Sequence, residues 1–342
     1  MRNANSIRRG LSAFCAAMLC TVAAGFPAKA EVQEVRIGRQ PGLPFLPLMI
    51  MEHDHLVEKH AAAAGMPGLK ATYITLAGPS QLNDAMLGGR LDMFGNGMPS
   101  LFTLWDRTVG TPREVKGLWS LQSMPLYLVT RNDSVKSIKD FTEKDKIAVP
   151  AVKVSVHAMV LQMAAAKEWG QENFAKLDPL TISRTHPDAT VALISNSGDV
   201  SSHFASSPYY YYELATPGIH KVLTSYEVLG HPHTNGVMIA MTSFVTANPK
   251  AVAIVRAAQE EANAFIKANP RAAAEIYLAM NNDKATVDDL TKMVADPEVE
   301  YTTVPAGAMD FATFMYRIGA IKHEPKAWTN MFHATAADLP GN

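Results

Sequence analysis

The chain has 342 residues, 48% of them hydrophobic and 18% charged, with 31 Lys and Arg against 32 Asp and Glu for a net charge of −1. That balance argues against a nucleic-acid partner, and the length suits two lobes of roughly 150 residues each. After the first thirty residues no segment approaches the ~18 continuous apolar residues of a membrane helix.

Residues 1–30 read as an export leader rather than as part of the fold. Arg2, Arg8 and Arg9 form a basic start, 11–26 is an apolar run, and Ala28-Lys29-Ala30 is a small-residue cleavage site. The expected mature chain therefore starts at Glu31, after cleavage behind Ala30, and its expected location is the periplasm. Arg8-Arg9 hints at twin-arginine export, but Gly10 follows, so a general secretory route fits better. Both cysteines, Cys15 and Cys20, lie in this leader. The rest of the chain has none, so its stability must come from a large core rather than from disulfides. Phe14 and Leu19 precede the cysteines, where a lipoprotein signal places a small residue, so a freely soluble protein is expected. Beyond the leader 27 basic residues face 32 acidic ones, a net charge of −5.

From residue 31 the order is strand (35–38), Pro-rich loop (40–44), helix (45–60), strand (73–76), helix (from Gly78-Pro79-Ser80 to 87), short buried strand (92–94), then a Gly-rich loop into a helix at 101–105. Strand, loop and helix in alternation imply a parallel sheet. Strand-like runs at 115–120 and 126–130 flank 121–125, where the chain leaves the first lobe. A short helix follows at 137–141. The second lobe then runs strand (146–149), helix (155–169), strand (180–183), helix (187–194), strand (199–202) and one more strand at 220–224. A return strand at 237–241 leads to helices opened by Asn248-Pro249 and Asn269-Pro270. The first of these has its apolar face on Val252, Val255, Ala258, Ala262 and Phe265. The remainder, to residue 342, reads as helical apart from an extended piece at 301–304.

The two halves echo each other. At an offset of 107 residues, 85–92 lies on 192–199, the strand 73–76 on 180–183, and Pro79-Ser80-Gln81 on His186-Pro187-Asp188. At an offset of 110 residues, 36–39 lies on 146–149. The expected fold is α/β with two lobes, each a mostly parallel sheet flanked by helices. Lobe one is discontinuous, 31–124 plus 238–342, and lobe two is the insert 125–237. Two crossings make a hinge, and a site is expected in the cleft.

The entry to lobe two, Met124-Pro125-Leu126-Tyr127-Leu128-Val129, then 135–141, then Lys146-Ile147-Ala148-Val149-Pro150, resembles solute-binding proteins of ABC importers. The return Gly236-Val237-Met238-Ile239-Ala240 with Phe244 and 248–252, and the box at 85–92, resemble the nitrate/sulfonate/taurine group, which includes binders of thiamine-precursor pyrimidines. The resemblance implies a type II-like periplasmic-binding-protein fold, no enzymatic activity, no cofactor, and a monomer. It also implies a partner permease in the inner membrane with its cytoplasmic ATPase. One departure is Ala151-Val152-Lys153-Val154-Ser155, where relatives often carry a Gly-Ser-Thr-like turn.

Ligands in such sheets bind beyond the carboxyl ends of the strands. The loops there are 39–45, 77–81, 95–100, 150–157, 184–188 and 202–209. Several open helices, whose free N–H groups and positive dipole ends suit an oxyanion. The candidate ligand-binding residues are Arg39, Gln40, Phe45, Pro79, Ser80, Asn96, Gly97, Met98, Gln122, Met124, Lys153, Ser155, His157, Arg184, His203, Phe204 and Tyr209. Arg39, Lys153 and Arg184 would supply positive charge, although capping its own helix is the competing use of each Ser. Phe45, Met98, Met124, Phe204 and Tyr209 would give an apolar lining that suits a small organic acid. Among the four tyrosines 209–212, Tyr209 is nearest the helix start and is the one expected in the cleft, with Tyr210 to Tyr212 in the core.

No metal site is expected. His53 and His55 point to different helix faces, and His231-Pro232-His233 lacks accompanying carboxylates. The chain carries no G-x-S-x-G, H-E-x-x-H or G-x-x-x-x-G-K motif. The function expected is capture of a small anionic organic solute, sulfonate- or carboxylate-like, for import. A pyrimidine binder and a secreted enzyme on the same fold are the alternatives.

Overall fold

A computed structural model describes residues 31–281, 283 and 285–342. The expected leader and its cleavage after Ala30 lie outside the described residues.

The first sheet contains β1 (Glu34–Arg39), β2 (Lys70–Thr75), β3 (Met93–Asn96), β4 (Val115–Ser123) and the late strand β10 (Thr234–Met241). The second contains β5 (Tyr127–Thr130), β6 (Ile147–Val149), β7 (Thr181–Ser183), β8 (Ser202–Ala205) and β9 (His220–Thr224). Their orders are β2-β1-β3-β10-β4 and β7-β6-β8-β5-β9. In the first, β1 runs parallel to β2 and β3, while β10 is antiparallel to β3 and β4. In the second, β6 runs parallel to β7 and β8, while β5 is antiparallel to β8 and β9. The two sheets thus share one topology, with β1, β2 and β3 equivalent to β6, β7 and β8. The repeated sequence pattern falls on these equivalent elements.

The helices of the first sheet are α1 (Leu46–His53), α2 (Leu56–Ala63), α3 (Pro79–Leu87) and α4 (Met98–Thr108). Those of the second are α5 (Val156–Trp169), α6 (His186–Ser195), α7 (Tyr209–Leu214) and α8 (Ser225–Leu229). After β10 come α9 (Thr242–Ala247), α10 (Pro249–Ala268), α11 (Pro270–Asn281), α12 (Val287–Val294) and α13 (Ala308–Arg317).

The expected helix over 45–60 is divided. A 3-10 turn at Leu43–Phe45 leads into α1, and His55, at a left-handed φ of 50°, separates α1 from α2. Beyond α13 the chain is not helical as expected. Gly319, at φ 71°, ends the helical path, and only short 3-10 turns at Trp328–Asn330 and Ala334–Ala336 follow. Phe332 there bridges to Gly117 of β4.

The core of the first sheet is held by α10, whose Val252, Val255, Ala258, Ala262 and Ile266 are buried; Phe265 is only half-buried. Truncating one such side chain to Ala removes transfer energy and leaves a cavity, at a cost of about 2–5 kcal/mol for a Leu or Ile. Gln259 of α10, fully buried, accepts from Trp119 Nε1 at 2.7 Å and donates to the Ser120 carbonyl at 2.8 Å. Asn248 does not cap α10 with its side chain, because its Oδ1 accepts from the Val32 N–H at 2.9 Å. Glu31 does so instead, accepting from the N–H groups of Lys250 and Ala251 at 3.1 and 2.8 Å.

Tyrosines of the second-sheet elements reach carboxylates that follow α11 and α12. Tyr212 donates to Asp283 at 3.0 Å, Tyr127 to Glu298 at 3.3 Å, and Tyr211 to Asp296. Leu43 N–H also donates to the Ser207 carbonyl at 3.2 Å.

Candidate functional site

The carboxyl ends of β1, β3, β4, β6 and β8, and the start of the antiparallel β10, meet around one partly open cavity. From the first sheet it takes Gln40 after β1, Asn96 and Gly97 at the end of β3, Gln122 on β4, and Asn235 and Gly236 on β10. From the second it takes Pro150 after β6, Ser155 and His157 at the start of α5, His186 at the start of α6, and Ser206 after β8. Phe45 closes one side. A Cβ at Gly95 would meet Leu121 at 2.6 Å and the Phe45 ring at 3.1 Å, so glycine there lets the ring lie against β3. The free volume is about 40 Å³. One water needs roughly 10–15 Å³ on that measure, so the cavity has room for a few waters or a small solute. A shallower pocket of about 210 Å³ adjoins it, sharing Pro79 and Pro150 and adding Ser80, Gln81, Arg184 and Thr185.

Of the residues expected in the site, the structure gathers Gln40, Phe45, Pro79, Asn96, Gly97, Gln122, Ser155 and His157 on the inner cavity. Ser80 and Arg184 line the outer pocket, where Arg184 pairs with Asp199 at 3.1 Å. The other seven line neither. Arg39 is buried against Glu52 of α1, 2.5 Å away, with its guanidinium over the Tyr73 ring. Lys153 is exposed in a left-handed turn, φ 61°. Met98, Met124 and Phe204 are fully buried. His203 is fully buried behind His186, and Tyr209 stacks on the His186 ring at 5.2 Å between centroids. Of the three cations expected to serve the ligand, none reaches the inner cavity.

His186, Ser206, Asn235 and Gly236 are lining residues that were not singled out from sequence. The first two fall inside loops that were marked. Asn235 and Gly236 were missed because β10 begins at Thr234, ahead of the apolar run that marks the strand.

The wall is uncharged. No Lys, Arg, Asp or Glu among the described residues lines the inner cavity. Asn96 is spent on the scaffold: its Nδ2 donates to the Pro79 carbonyl at 3.1 Å and to Ser100 at 3.2 Å, and its Oδ1 accepts from Gly97 N–H at 2.9 Å and from Gln40 at 3.3 Å. Gln122 is the opposite case. Its side chain is fully buried, yet neither amide atom has a protein partner. His157 bonds Ser206 Oγ through Nε2 at 2.9 Å and leaves Nδ1 unpartnered. Burial, followed by the nearby His203 and His233, holds His157 well below the usual imidazole range, so its ring is neutral. Unpaired buried polar atoms are costly, and those at Gln122 and His157 are free to bond a molecule in the cavity. The N-termini of α4 and α5, capped at Gly97 and Ser155, open onto the same space and favour a negative group.

Among the described residues no group of three or more His, Cys, Asp or Glu is placed to hold a metal. His231 lies 3.2 Å from Asp310, and His233 is buried on Ser225 at 2.8 Å, so the two rings face different partners.

Comparison with known proteins gives one family and one fold. The profile of the NMT1-like family matches residues 28–280. The alkanesulfonate-binding protein SsuA from Xanthomonas axonopodis pv. citri bound to MOPS has a similar structure, with a TM-score of 0.68 and 17% identity over 89% of this chain and 100% of that one. The periplasmic nitrate-binding protein NrtA from Synechocystis PCC 6803 gives 0.68 and 18% over 91% of this chain and 90% of that one. The periplasmic aliphatic sulphonate binding protein SsuA from Escherichia coli gives 0.65 and 16% over 89% and 92%. No curated protein matches the sequence at a significant level. At these identities the likeness to solved structures shows the periplasmic-binding-protein fold.

Proposed function

The chain belongs to the NMT1-like family, and from that premise we propose that it is the solute-binding component of an ABC importer. It captures a small anionic organic solute, sulfonate- or carboxylate-like, between its two lobes in the periplasm and delivers it to an inner-membrane permease. The observation that carries this reading is the cavity at the strand ends of two sheets of identical topology, with unpartnered polar atoms at Gln122 and His157. The lobes are 31–124 with 234–342, and 125–233, the second boundary falling before β10 and not at 237/238 as expected, because all of β10 pairs in the first sheet. The crossings between β4 and β5 and between β9 and β10 serve as the hinge, and closure buries the solute. Binding shifts the open–closed equilibrium only as far as the solute prefers the closed state.

The uncharged wall and the free donor and acceptor of Gln122 favour a second reading, a neutral solute with a donor beside an acceptor, such as a pyrimidine. One experiment separates the two. The purified protein is screened by thermal shift against sulfonates, carboxylates, nitrate and pyrimidines, with product formation followed in parallel. A solute at ~100 times its dissociation constant stabilises the fold by ~2.7 kcal/mol. Stabilisation by one anionic class without turnover supports capture of an anion. Stabilisation by pyrimidines alone moves the assignment to the second reading, and turnover would make the protein an enzyme.

A further inference from the structure

The inner cavity and the outer pocket differ in chemistry, and they touch. Both are lined by Pro79 at the start of α3 and by Pro150 after β6, one residue from each sheet system. A Cβ on Gly78 would stand 3.9 Å from the Pro150 carbonyl, so the two chain segments come close at this junction. Inside, the wall holds no Lys, Arg, Asp or Glu among the described residues. Its unspent groups are neutral: the Gln122 amide, whose donor and acceptor both lack a protein partner, and His157 Nδ1. Gln122 is 0% and His157 4% exposed, so neither can turn out to bulk water. Outside, Arg184 is the only charged residue on the pocket wall among the described residues.

Arg184 has donors to spare. Its bond to Asp199 runs from Nη2 at 3.1 Å, and its other side-chain nitrogens have no partner among the described residues. A guanidinium donates from every nitrogen, so Nη1 and Nε remain for a second anion. The Arg184 and Asp199 side chains are both more than a third exposed, and so exposed a pair is too weak to hold the guanidinium fixed. The first turn of α3 lines the same pocket, and Gly78 gives it no side-chain cap, so its N–H groups add to the positive side. Asp188, at the start of α6, is bonded by Thr185 Oγ1 at 2.7 Å and does not line the pocket.

An anion drawn into the inner cavity would lose its hydration and meet no full positive charge. Left in the outer pocket, the same group keeps much of its water and meets Arg184. The geometry points to a two-part solute. An uncharged head, carrying a donor beside an acceptor, seats on Gln122 and His157. It is joined to one anionic group that stays outside, at Arg184 and the start of α3. Amido acids and ureido acids have this form. The inference rests on the reading of the solute as an anion and deepens it by placing the charge. A plain alkyl carboxylate or alkylsulfonate fits less well: its anionic end offers Gln122 acceptors only, and its alkyl end offers nothing to bond.

Size and polarity agree with that division. The inner volume of about 40 Å³ suits a head of a few heavy atoms, such as a carboxamide or a urea, whereas the outer 210 Å³ takes the chain and its charged end. Pro79 and Pro150 give the junction apolar walls, which suit a short run of methylenes. The N-termini of α4 and α5 open onto the inner cavity and favour the partial negative charge of the head's carbonyl oxygen. An uncharged wall and an anionic solute are then compatible, because the charge is never buried.

The test is calorimetric titration of the purified protein with glutaramate, butyramide, pentanoate and ethanesulfonate, at low and at high salt. Glutaramate carries an amide and a carboxylate at opposite ends; butyramide lacks the charge and pentanoate lacks the amide. Glutaramate should bind about fivefold tighter than butyramide, the worth of one part-exposed charge pair. It should bind about tenfold tighter than pentanoate, which leaves Gln122 unbonded. Its Kd should rise with salt, since a charge near solvent is screened. In Arg184→Gln both its advantage over butyramide and its salt dependence should disappear. Pentanoate or ethanesulfonate binding at least as tightly as glutaramate, insensitive to salt and to Arg184→Gln, would put the charge inside the cavity; that overturns the two-part solute and leaves anion capture standing. Butyramide binding as tightly as glutaramate removes the anion reading as well. Binding of none of the four overturns the two-part solute, and anion capture then stands or falls on the thermal-shift screen of sulfonates, carboxylates and nitrate.

Discussion

Gln122 is fully buried on β4 with both amide atoms unbonded. Leaving such a group without any partner costs about 1–3 kcal/mol, so in the empty protein waters in the cavity must satisfy it, at up to ~2 kcal/mol of immobilisation each. Gln122→Leu, of similar volume, is therefore expected to raise the stability of the empty protein by about 1 kcal/mol while weakening solute binding roughly tenfold. Denaturant midpoints and titrations check the pair of effects. A variant that is less stable yet binds unchanged would show that the amide serves the fold. The position of Gln122 near a strand end was legible in the sequence, and so were those of Gln40, Asn96, Gly97, Ser155 and His157, because strand ends and helix starts can be read from residue patterns. Pairing was not legible. Arg39 ends β1, where a free cation would sit, but Glu52 comes thirteen residues later, and only the way α1 folds back brings the two together. His203 and Glu213 belong to different elements, and nothing in their spacing shows that one orients the other.

At the scale of elements, α7 with its four tyrosines has a use that the sequence hid. Reading Tyr210 to Tyr212 as core holds for Tyr210, which stacks on Tyr127 at 4.2 Å between centroids. Tyr211 and Tyr212 are half-buried, and their hydroxyls bond Asp296 and Asp283. These carboxylates follow α12 and α11, which pack with the first sheet's helices, so the bonds tie the two sheet systems together. Tyr211→Phe keeps the ring and removes one bond, a net loss of about 1 kcal/mol. The closed form should then be roughly fivefold less populated, and the solute Kd should rise by a similar factor. X-ray scattering of the empty variant should show a larger radius of gyration. Equal radius and equal Kd would mean that the tyrosines carry no closure energy. Most strands were legible from their apolar runs, but the strand expected at 199–202 lies at Ser202–Ala205, a segment with no β-branched residue to mark it. The break at His55 and the irregular tail after α13 were not, because local propensity there yields to packing against β4 and α10.

For the molecule as a whole, the buried imidazoles set its response to acid. Burial pushes His233 down to about 4 and holds His157 and His186 well below 6.5. The unfolded chain therefore takes up protons before the folded one as pH falls. Stability is complete above about 6.5 and is lost progressively toward pH 4, with His233 alone contributing on the order of 3 kcal/mol. The melting temperature of the empty protein should be flat from about pH 7 to 8 and fall steeply below 6; a flat profile down to pH 5 would mean that these rings protonate without strain. The strand order has a consequence of a different kind, in time rather than in energy. β3 and β4 are joined only through β10, which the chain supplies last, whereas the second sheet is complete once Thr224 is available. A chain emerging from its N-terminal end can therefore finish its inserted half while the enclosing half still has an open seam beside β4. Non-local pairing of this sort is slow, and an open strand edge invites misassociation. Pulse-labelled hydrogen exchange during refolding should protect β5 and β8 before β4, and early protection of β4 would reverse that order. The seam is then the interval in which newly made chains are most exposed to aggregation, and it ends when β10 slots between its neighbours.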